Sequence, residues 1–465
     1  MIPMNLDRDW ILEISRTTGF SVPSIQKLIE VCYFQNEAQS LQKNVEDLIS
    51  ALRTPQEWFS LRINPVRMSQ QTDNNIGEIL KEEYEVSTSK IIQNLHFLPV
   101  KGPFELQKHT REIIVDKFAA ESIMTGANLY IPGFLRPLPK FQKGEIFSIY
   151  GPNHIQVANG ITQYSHKEIL ELKKGLGIQT TESQYKISPY RDSGYYNRGI
   201  ISDHSFGPFL ACNLLMEFYK DSEQHVIFDL CSAPGHKTCT LSEIGYQKHG
   251  KFPKIISIDR STKRLETLFQ DIKRLGLENI QIIPKRIERI PTYHPDLLNT
   301  ADLLVLDPPC SALGTRPKLS ITHTEEGLRS FFLLQRRLTK EISSLLKENG
   351  ILLYTTCTLS LLENEGIVSI LMRKHGYKLL DAHKLLSKVI HPSALSKMKT
   401  EILPGISRDE GLLQEIPFAD PKHEEDLDRY LTLSEEDARK LIRMNPMGTH
   451  STGYFIALLQ KHSEQ

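Results

Sequence analysis

The chain is 465 residues long, 40% hydrophobic and 24% charged, with 26 Gly and 25 Pro. That length asks for about three domains, and the composition excludes a collagen, a coiled-coil rod and a disordered tail protein. Lys+Arg and Asp+Glu both total 56, so any nucleic-acid partner has to be held by local patches and not by a global basic field.

No apolar run is long enough to span a membrane, and Met1 to Asp9 lacks the basic start and apolar block of a signal peptide. The six cysteines, Cys32, Cys212, Cys231, Cys239, Cys310 and Cys357, show no CxxC spacing. Reduced thiols in a cytoplasmic protein are the economical expectation. The 16 histidines form neither HExxH nor a Cys/His zinc spacing, so no metal is expected.

Residues 1–108 read as an N-terminal region, with helical stretches at 25–30 and 45–52 and an extended segment, Ser60 to Pro65. Residues 109–190 change texture. Ala127 to Ile131 is stopped by Pro132-Gly133, and Glu145 to Tyr150 by Gly151-Pro152, the spacing of a small, mostly β module. Lys173-Lys174-Gly175-Leu176-Gly177 holds a Gly-x-Gly but no third glycine and no preceding buried strand, so it reads as a plain turn.

Residues 191–465 read as an α/β domain. Strands are expected at Val226–Leu230, Ile255–Asp259, Ile280–Ile283, Leu303–Asp307, Gly350–Tyr354 and Gly453–Leu458. Between the second and third, Ser261 can cap a helix with apolar residues at Leu265, Leu268, Phe269, Ile272 and Leu275, closed by Gly276. Strands alternating with helices build a parallel, doubly wound sheet, with ligands at the carboxyl ends of its strands.

Three constellations fall at such ends. After the first strand, Asp229-Leu230-Cys231-Ser232-Ala233-Pro234-Gly235-His236-Lys237-Thr238 is a turn of small residues running into a helix, whose free N–H groups suit a ligand. Asp259, ending the next strand, can accept the hydroxyls of a ribose; without G-x-G-x-x-G spacing NAD is not favoured. Asp307-Pro308-Pro309-Cys310-Ser311 is stiffened by two prolines and cannot continue a strand. Tyr354-Thr355-Thr356-Cys357-Thr358 ends the fifth strand, followed by Glu363, Asn364 and Glu365, the last of which reads equally well as a solvated face. One cysteine in a sheet protein is usually an inert core thiol. Two at strand ends beside a nucleotide-type turn point to chemistry.

These three motifs resemble the signatures of the Sun-type (Nop/Fmu) RNA cytosine-5 methyltransferases. Thr452 to Ala457 resembles that family's closing strand, Leu61-Arg62-Ile63-Asn64 its N-terminal region, and the module at 109–190 a PUA domain. A PUA-like module before the catalytic core is similar to the family member that methylates cytosine seventy-two beside the 3′ CCA end of tRNA. The resemblance implies a Rossmann-like S-adenosylmethionine-dependent core and a tRNA substrate. It also implies a cofactor site at Cys231, Ser232, Ala233, Pro234, Gly235, His236, Lys237, Asp259 and Asp307.

By the same resemblance Cys357 is the nucleophile that adds to C6 of the base, and Cys310 assists release of the adduct. Asp307 steadies the base near N3/N4 and Lys237 orients it and favours anionic species. A thiolate at C6 pushes electron density to C5, otherwise a poor nucleophile, which can then take a methyl group. Free thiols ionise near pH ~8.5, so Cys357 needs help.

Two departures stand out. His236 replaces the second glycine of the family's turn, so its side chain is expected to point away from the cofactor. The family's adenine-binding acid falls on Arg286, with Glu288 as the substitute after a two-residue shift. They motivate a second reading, a tRNA-binding protein that has lost its cofactor; the paired thiols count against it. A DNA cytosine methyltransferase would carry its nucleophile in the Asp307 loop, which Cys357 and the PUA-like module oppose. For RNA contact the candidates are Tyr130, Lys140 and Lys143 of the β module. From Arg260 to Arg289 there are also eight Lys/Arg against four Asp/Glu, which read equally well as a solvated surface. The polar stretch 382–432 is expected to be a surface insertion over the substrate channel.

Overall fold

The computed structural model describes residues 8–35, 40–70, 76–87, 91–398, 402–404, 433–448 and 451–462. The later part of the expected insertion, 405–432, lies outside the described residues. Its first part forms helices Ala382–Val389 and Pro392–Leu395.

Helices Arg8–Thr18, Val22–Gln35 and Leu41–Arg53 open the chain. The third is capped by Ser40, whose side chain accepts from Lys43 N–H. It buries Val45, Leu48, Ile49 and Leu52, the i, i+3, i+4, i+7 face that the sequence spells out. The core of these helices takes in Leu313, Leu359 and Leu361, so they pack on the loops that follow Cys310 and Cys357. Strand β1 (Trp58–Ile63) pairs antiparallel with β2 (Leu95–Pro99).

The β module contains β3 (Glu112–Ile114), β4 (Leu129–Tyr130), β5 (Ile146–Tyr150), β6 (Gln156–Thr162) and β7 (Leu176–Ser183), in sheet order β3-β5-β6-β7-β4. The strand expected over 127–131 is only the two residues of β4, because Ile131–Gly133 turns as a 3-10 helix at Pro132. Leu319 of the following domain enters the core of the module. The chain then returns with β8 (Ile201–Asp203) to pair with β1, so segments on either side of the β module share one sheet.

The nine-stranded sheet contains β9 (Val226–Leu230), β10 (Lys254–Ile258), β11 (Ile280–Ile283), β12 (Ala301–Leu306), β13 (Leu346–Thr356), β14 (Tyr377–Leu379), β15 (Ile402–Pro404), β16 (Ile442–Met444) and β17 (Tyr454–Lys461). Its order is β11-β10-β9-β12-β13-β17-β16-β15, with β14 on β17. Both faces are covered, so its strands read as continuous apolar runs. Phe228, Leu230, Leu304 and Leu306 enter one core, and Ile227, Leu303 and Val305 the other.

The expectation of a wholly parallel sheet needs correction. Strands β9 to β13 are parallel, but β17 runs antiparallel to β13, with Tyr354 opposite Ala457, and β16 pairs antiparallel with β17. The link from Met444 to Tyr454 is too short for a crossover, so these strands meet in the only sense it permits.

Helix Thr262–Leu275 is capped by Ser261 and closed by Gly276 at φ 70 as the sequence predicts. Phe269, expected on its apolar face, is instead exposed, with the Lys273 ammonium 4.3 Å from its ring centroid. No helix among the described residues is long and apolar enough to cross a membrane.

Candidate active site

The turn after β9 is held from below. Cys231 has φ 57 and Gly235 φ 110, a left-handed region that glycine enters without penalty. A Cβ on Gly235 would also lie 2.5 Å from Leu268 Cδ1, so no other residue fits there. Thr238 donates to Asp229 Oδ2 at 2.6 Å, and Ser257 donates to Ser232 at 2.6 Å. Burial pushes the Asp229 carboxyl up to about 6 despite the Thr238 hydrogen bond. Burial also pushes the Cys231 thiol up, and the carboxylates of Asp259, Asp307, Asp229 and Glu288 reinforce it; Cys231 is kept protonated and unreactive.

Asp259 does more local work than expected. Its Oδ2 accepts Ala233 N–H at 3.1 Å and its Oδ1 accepts Ser261 N–H at 2.8 Å, so one carboxylate joins the turn to the next helix and leaves its remaining lone pairs for a ligand.

A recess of about 290 Å³ opens beside this turn, lined among others by Asp203, His204, Ala233, His236, Lys237 and Asp307. His236, expected to point away from the cofactor, forms part of its wall; its ring stacks on that of His204 with centroids 6.1 Å apart. Burial first, and then the nearby cations Arg62 and Lys237, lower its pKa against the pull of Asp203. This is a neutral aromatic wall where a glycine would leave space.

Lys237 and Asp307 meet across the strand ends. The ammonium donates to Asp307 Oδ2 at 2.5 Å, Thr355 donates to Asp307 Oδ1 at 3.1 Å, and the Tyr454 ring centroid lies 5.9 Å from Nζ. Burial alone pulls the Lys237 pKa down, but the Asp307 carboxylate outweighs it and the net direction is well up. Lys237 therefore stays a cation.

Cys310 Sγ and Cys357 Sγ lie 3.4 Å apart, both half-buried. The Cys310 pKa is raised well above the ordinary thiol value, first by its hydrogen bond to Cys357, then by burial and by the charges of Cys357, Glu363 and Asp307. Of a coupled pair one member carries the proton. Here Cys310 is the member that holds its proton, with its Sγ 3.4 Å from that of Cys357.

The Cys310 loop is anchored by Glu363, which is 1% exposed. Its carboxylate accepts Ser311 N–H at 3.0 Å, the Ser311 hydroxyl at 2.5 Å and Gln335 Nε2 at 3.0 Å. Asn364 takes the Thr356 hydroxyl at 2.5 Å and donates to Thr358 O at 3.0 Å, bracketing Cys357 on both sides. The two loops also join directly, Gly314 N–H donating to Cys357 O at 3.0 Å.

Glu365, read from the sequence as equally a solvated face, is buried at 1%. It accepts from Arg443 Nε at 2.6 Å and from Nη2, an ion pair that ties the helix after Cys357 to β16. Sequence distance hides such a pair, since 78 residues separate its members. Glu365→Ala leaves the Arg443 charge buried and alone, so unfolding free energy should fall by about 3–5 kcal/mol; urea titration of the two chains measures it.

Arg286 and Glu288 part company. Arg286 is exposed and lines an outer recess with Arg260, Lys285, Arg289 and Tyr293. Glu288 is half-buried and adds its charge to the field at Cys231. In the β module Tyr130 is 59% exposed, and Lys140 and Lys143 are exposed as well. Sequence reasoning missed Tyr454, Thr355, Gln335, Asp203 and His204 as walls or props of the site. The tertiary structure alone brings Tyr454 over Lys237. Thr355 had a signal, standing two residues before Cys357 on a strand, where side chains alternate.

Comparison with known proteins adds an independent line. A family model described as 16S rRNA methyltransferase RsmB/F matches residues 216–416, and a PUA domain model matches residues 111–183. The chain is 30% identical over 355 residues to the tRNA (cytosine(72)-C(5))-methyltransferase of Pyrococcus horikoshii, covering 74% of this chain and 87% of that protein. It is 28% identical over 364 residues to the Homo sapiens tRNA (cytosine(72)-C(5))-methyltransferase NSUN6, covering 71% and 75%. The crystal structure of NSun6 from Pyrococcus horikoshii with SFG superposes with a TM-score of 0.73 at 26% identity, covering 96% of this chain and all of that one.

Proposed function

Because the chain belongs to the RsmB/F family of RNA cytosine-5 methyltransferases, we propose that its two facing thiols methylate C5 of cytosine in tRNA, at position 72 beside the 3′ end. The enzyme is an S-adenosylmethionine-dependent tRNA (cytosine-5) methyltransferase. The observation that carries the mechanism is the 3.4 Å contact of Cys310 and Cys357, with the proton on Cys310.

The cofactor supplies an electrophilic methyl group. The residues of the turn fit it: Asp229 Oδ1 is buried without a hydrogen-bond partner, and Gly235 admits no side chain. Cys231 to Lys237 with Asp259 would hold it, and Glu288, whose charge reaches Cys231, would take the adenine amino group in place of the acid expected at Arg286.

Cys357 thiolate adds to C6 of cytosine and forms the S–C6 bond, and the electron pair moves to C5 and N3. Asp307, held by Lys237 and Thr355, accepts from the amino group of the base, and the Lys237 cation beside it offsets the negative charge that develops at N3. C5 then accepts the methyl group and gives up its proton to solvent water; the C–H electron pair re-forms the C5=C6 bond, and Cys357 leaves C6 as the thiolate with Cys310 assisting. Residues 1–108, 109–190 and 191–465 serve as N-terminal region, RNA-binding PUA-like domain and catalytic domain, with Tyr130, Lys140 and Lys143 of the second contacting the tRNA end. The free cysteines fit a cytoplasmic site of action. The reading as a binder that has lost its cofactor is not favoured, since Glu288 supplies the acid that Arg286 lacks.

The test is methylation of a tRNA transcript with cytosine at position 72, against the same transcript with that base replaced. Methyl incorporation into the first alone supports the reading; equal incorporation into both sinks the position. A separate measurement concerns the adenine. A charge-assisted hydrogen bond is worth about 1.5–3 kcal/mol, so Glu288→Ala should weaken S-adenosylmethionine binding by roughly ten- to a hundred-fold, and Arg286→Ala should change it little. Calorimetric titration separates them, and the reverse order would return the adenine site to Arg286.

A further inference from the structure

At the outer edge of the sheet, Arg260 follows β10, and Lys285, Arg286 and Arg289 follow β11. With Ser261, Pro284 and Tyr293 they line an open recess of about 530 Å³. None of the four cations makes an ion pair or a side-chain hydrogen bond among the described residues, although many of the chain's other cations do. Arg260, Arg286 and Arg289 are exposed, and Tyr293 is 58% exposed with Lys285 Nζ 4.6 Å from its ring centroid.

An unpaired cluster in a chain of zero net charge is a local positive field with no ion-pair partner among the described residues. Like charges gathered this closely repel one another, so the cluster costs stability and gains nothing within the protein. Its place says what it is for. The recess opens at the carboxyl ends of β10 and β11, the same edge of the sheet that carries Asp307 and Cys357. Three strand spacings separate the end of β11 from that of β12, or about 14 Å. This is within reach of an RNA whose target base sits at the thiols.

We propose that this recess is a second anchoring surface for the tRNA substrate: Arg260, Lys285, Arg286 and Arg289 hold backbone phosphates away from the target base, and Tyr293 supports a ribose or base face. Such contacts set position and affinity and carry no sequence information. They belong to the catalytic domain and work independently of the β module. The inference rests on the reading of tRNA as substrate.

The test is the triple variant Arg260→Ala, Lys285→Ala, Arg289→Ala, assayed by gel shift with a tRNA transcript between about 50 and 200 mM salt. For every phosphate that the variant no longer neutralises, the slope of log affinity against log salt shrinks by about 0.7–0.9. The slope should flatten by roughly 2–3 and affinity at low salt should drop tenfold or more. KM for tRNA should rise, while kcat at saturating tRNA and calorimetric affinity for S-adenosylmethionine stay as in the parent chain. Parent-like affinity and slope would overturn the inference, as would impaired cofactor binding with tRNA affinity intact. The salt slope is read from binding alone, so a parent chain that binds tRNA but methylates no cytosine sinks the proposed function without deciding this one.

Discussion

Cys357→Ala abolishes both methyl transfer and any covalent RNA adduct, whereas Cys310→Ala lets a methylated adduct form and persist. The first follows because the nucleophile is removed with Cys357, while the neighbouring Cys310 keeps its proton. The second follows because Cys310 faces the adduct sulfur across 3.4 Å, and its removal impairs release without preventing attack. Denaturing gels of enzyme, tRNA and cofactor read both results, and adduct formed by the Cys357 variant but not by the Cys310 variant would exchange the two roles.

Asp307→Asn should lower kcat by about a hundred- to a thousandfold, because the amino group of the base loses its charged acceptor and Lys237 loses the counter-ion that positions it. The shape of the side chain is kept, so the loss reports charge. The Lys237 ammonium, otherwise matched at 2.5 Å, is left facing a neutral amide. Lys237→Met should cost a similar factor for the opposite reason, since Asp307 is then free to turn away from the base. If the two act as one device, the double variant loses scarcely more than either single one. Steady-state kinetics on tRNA give the comparison, and full additivity would mean that Lys237 and Asp307 serve separate steps. Cofactor affinity provides the second readout: it should change less than kcat in both variants.

The motifs were legible because their spacing is local. A buried strand, a turn of small residues and a helix can be read from Val226 to Thr238, and Pro308-Pro309 announces a loop that leaves the sheet. The cap Ser261 and the stop Gly276 lie where the helix between them begins and ends. Backbone sterics and side-chain periodicity decide such features within a dozen residues, so one sequence suffices.

Long-range pairing was not legible. Nothing near Glu365 names Arg443, and nothing near Arg62 names Glu243, which it meets through Nε at 2.7 Å while buried. Both pairs form because the fold removes each charge from water and only a matched partner makes that tolerable. The antiparallel entry of β17 likewise depends on the short link from β16, which strand periodicity does not encode. At the site itself, residue types alone nominated Cys310 and Cys357. Their tertiary contact is what gives one of them the proton, because ionisation depends on charge and burial within a few ångströms and not on neighbours in the chain. The same holds for Arg286 and Glu288: two residues apart in sequence, the first is exposed in the outer recess while the second is half-buried with its charge reaching Cys231, a difference that depends on what the turn Ile287–Arg289 packs against.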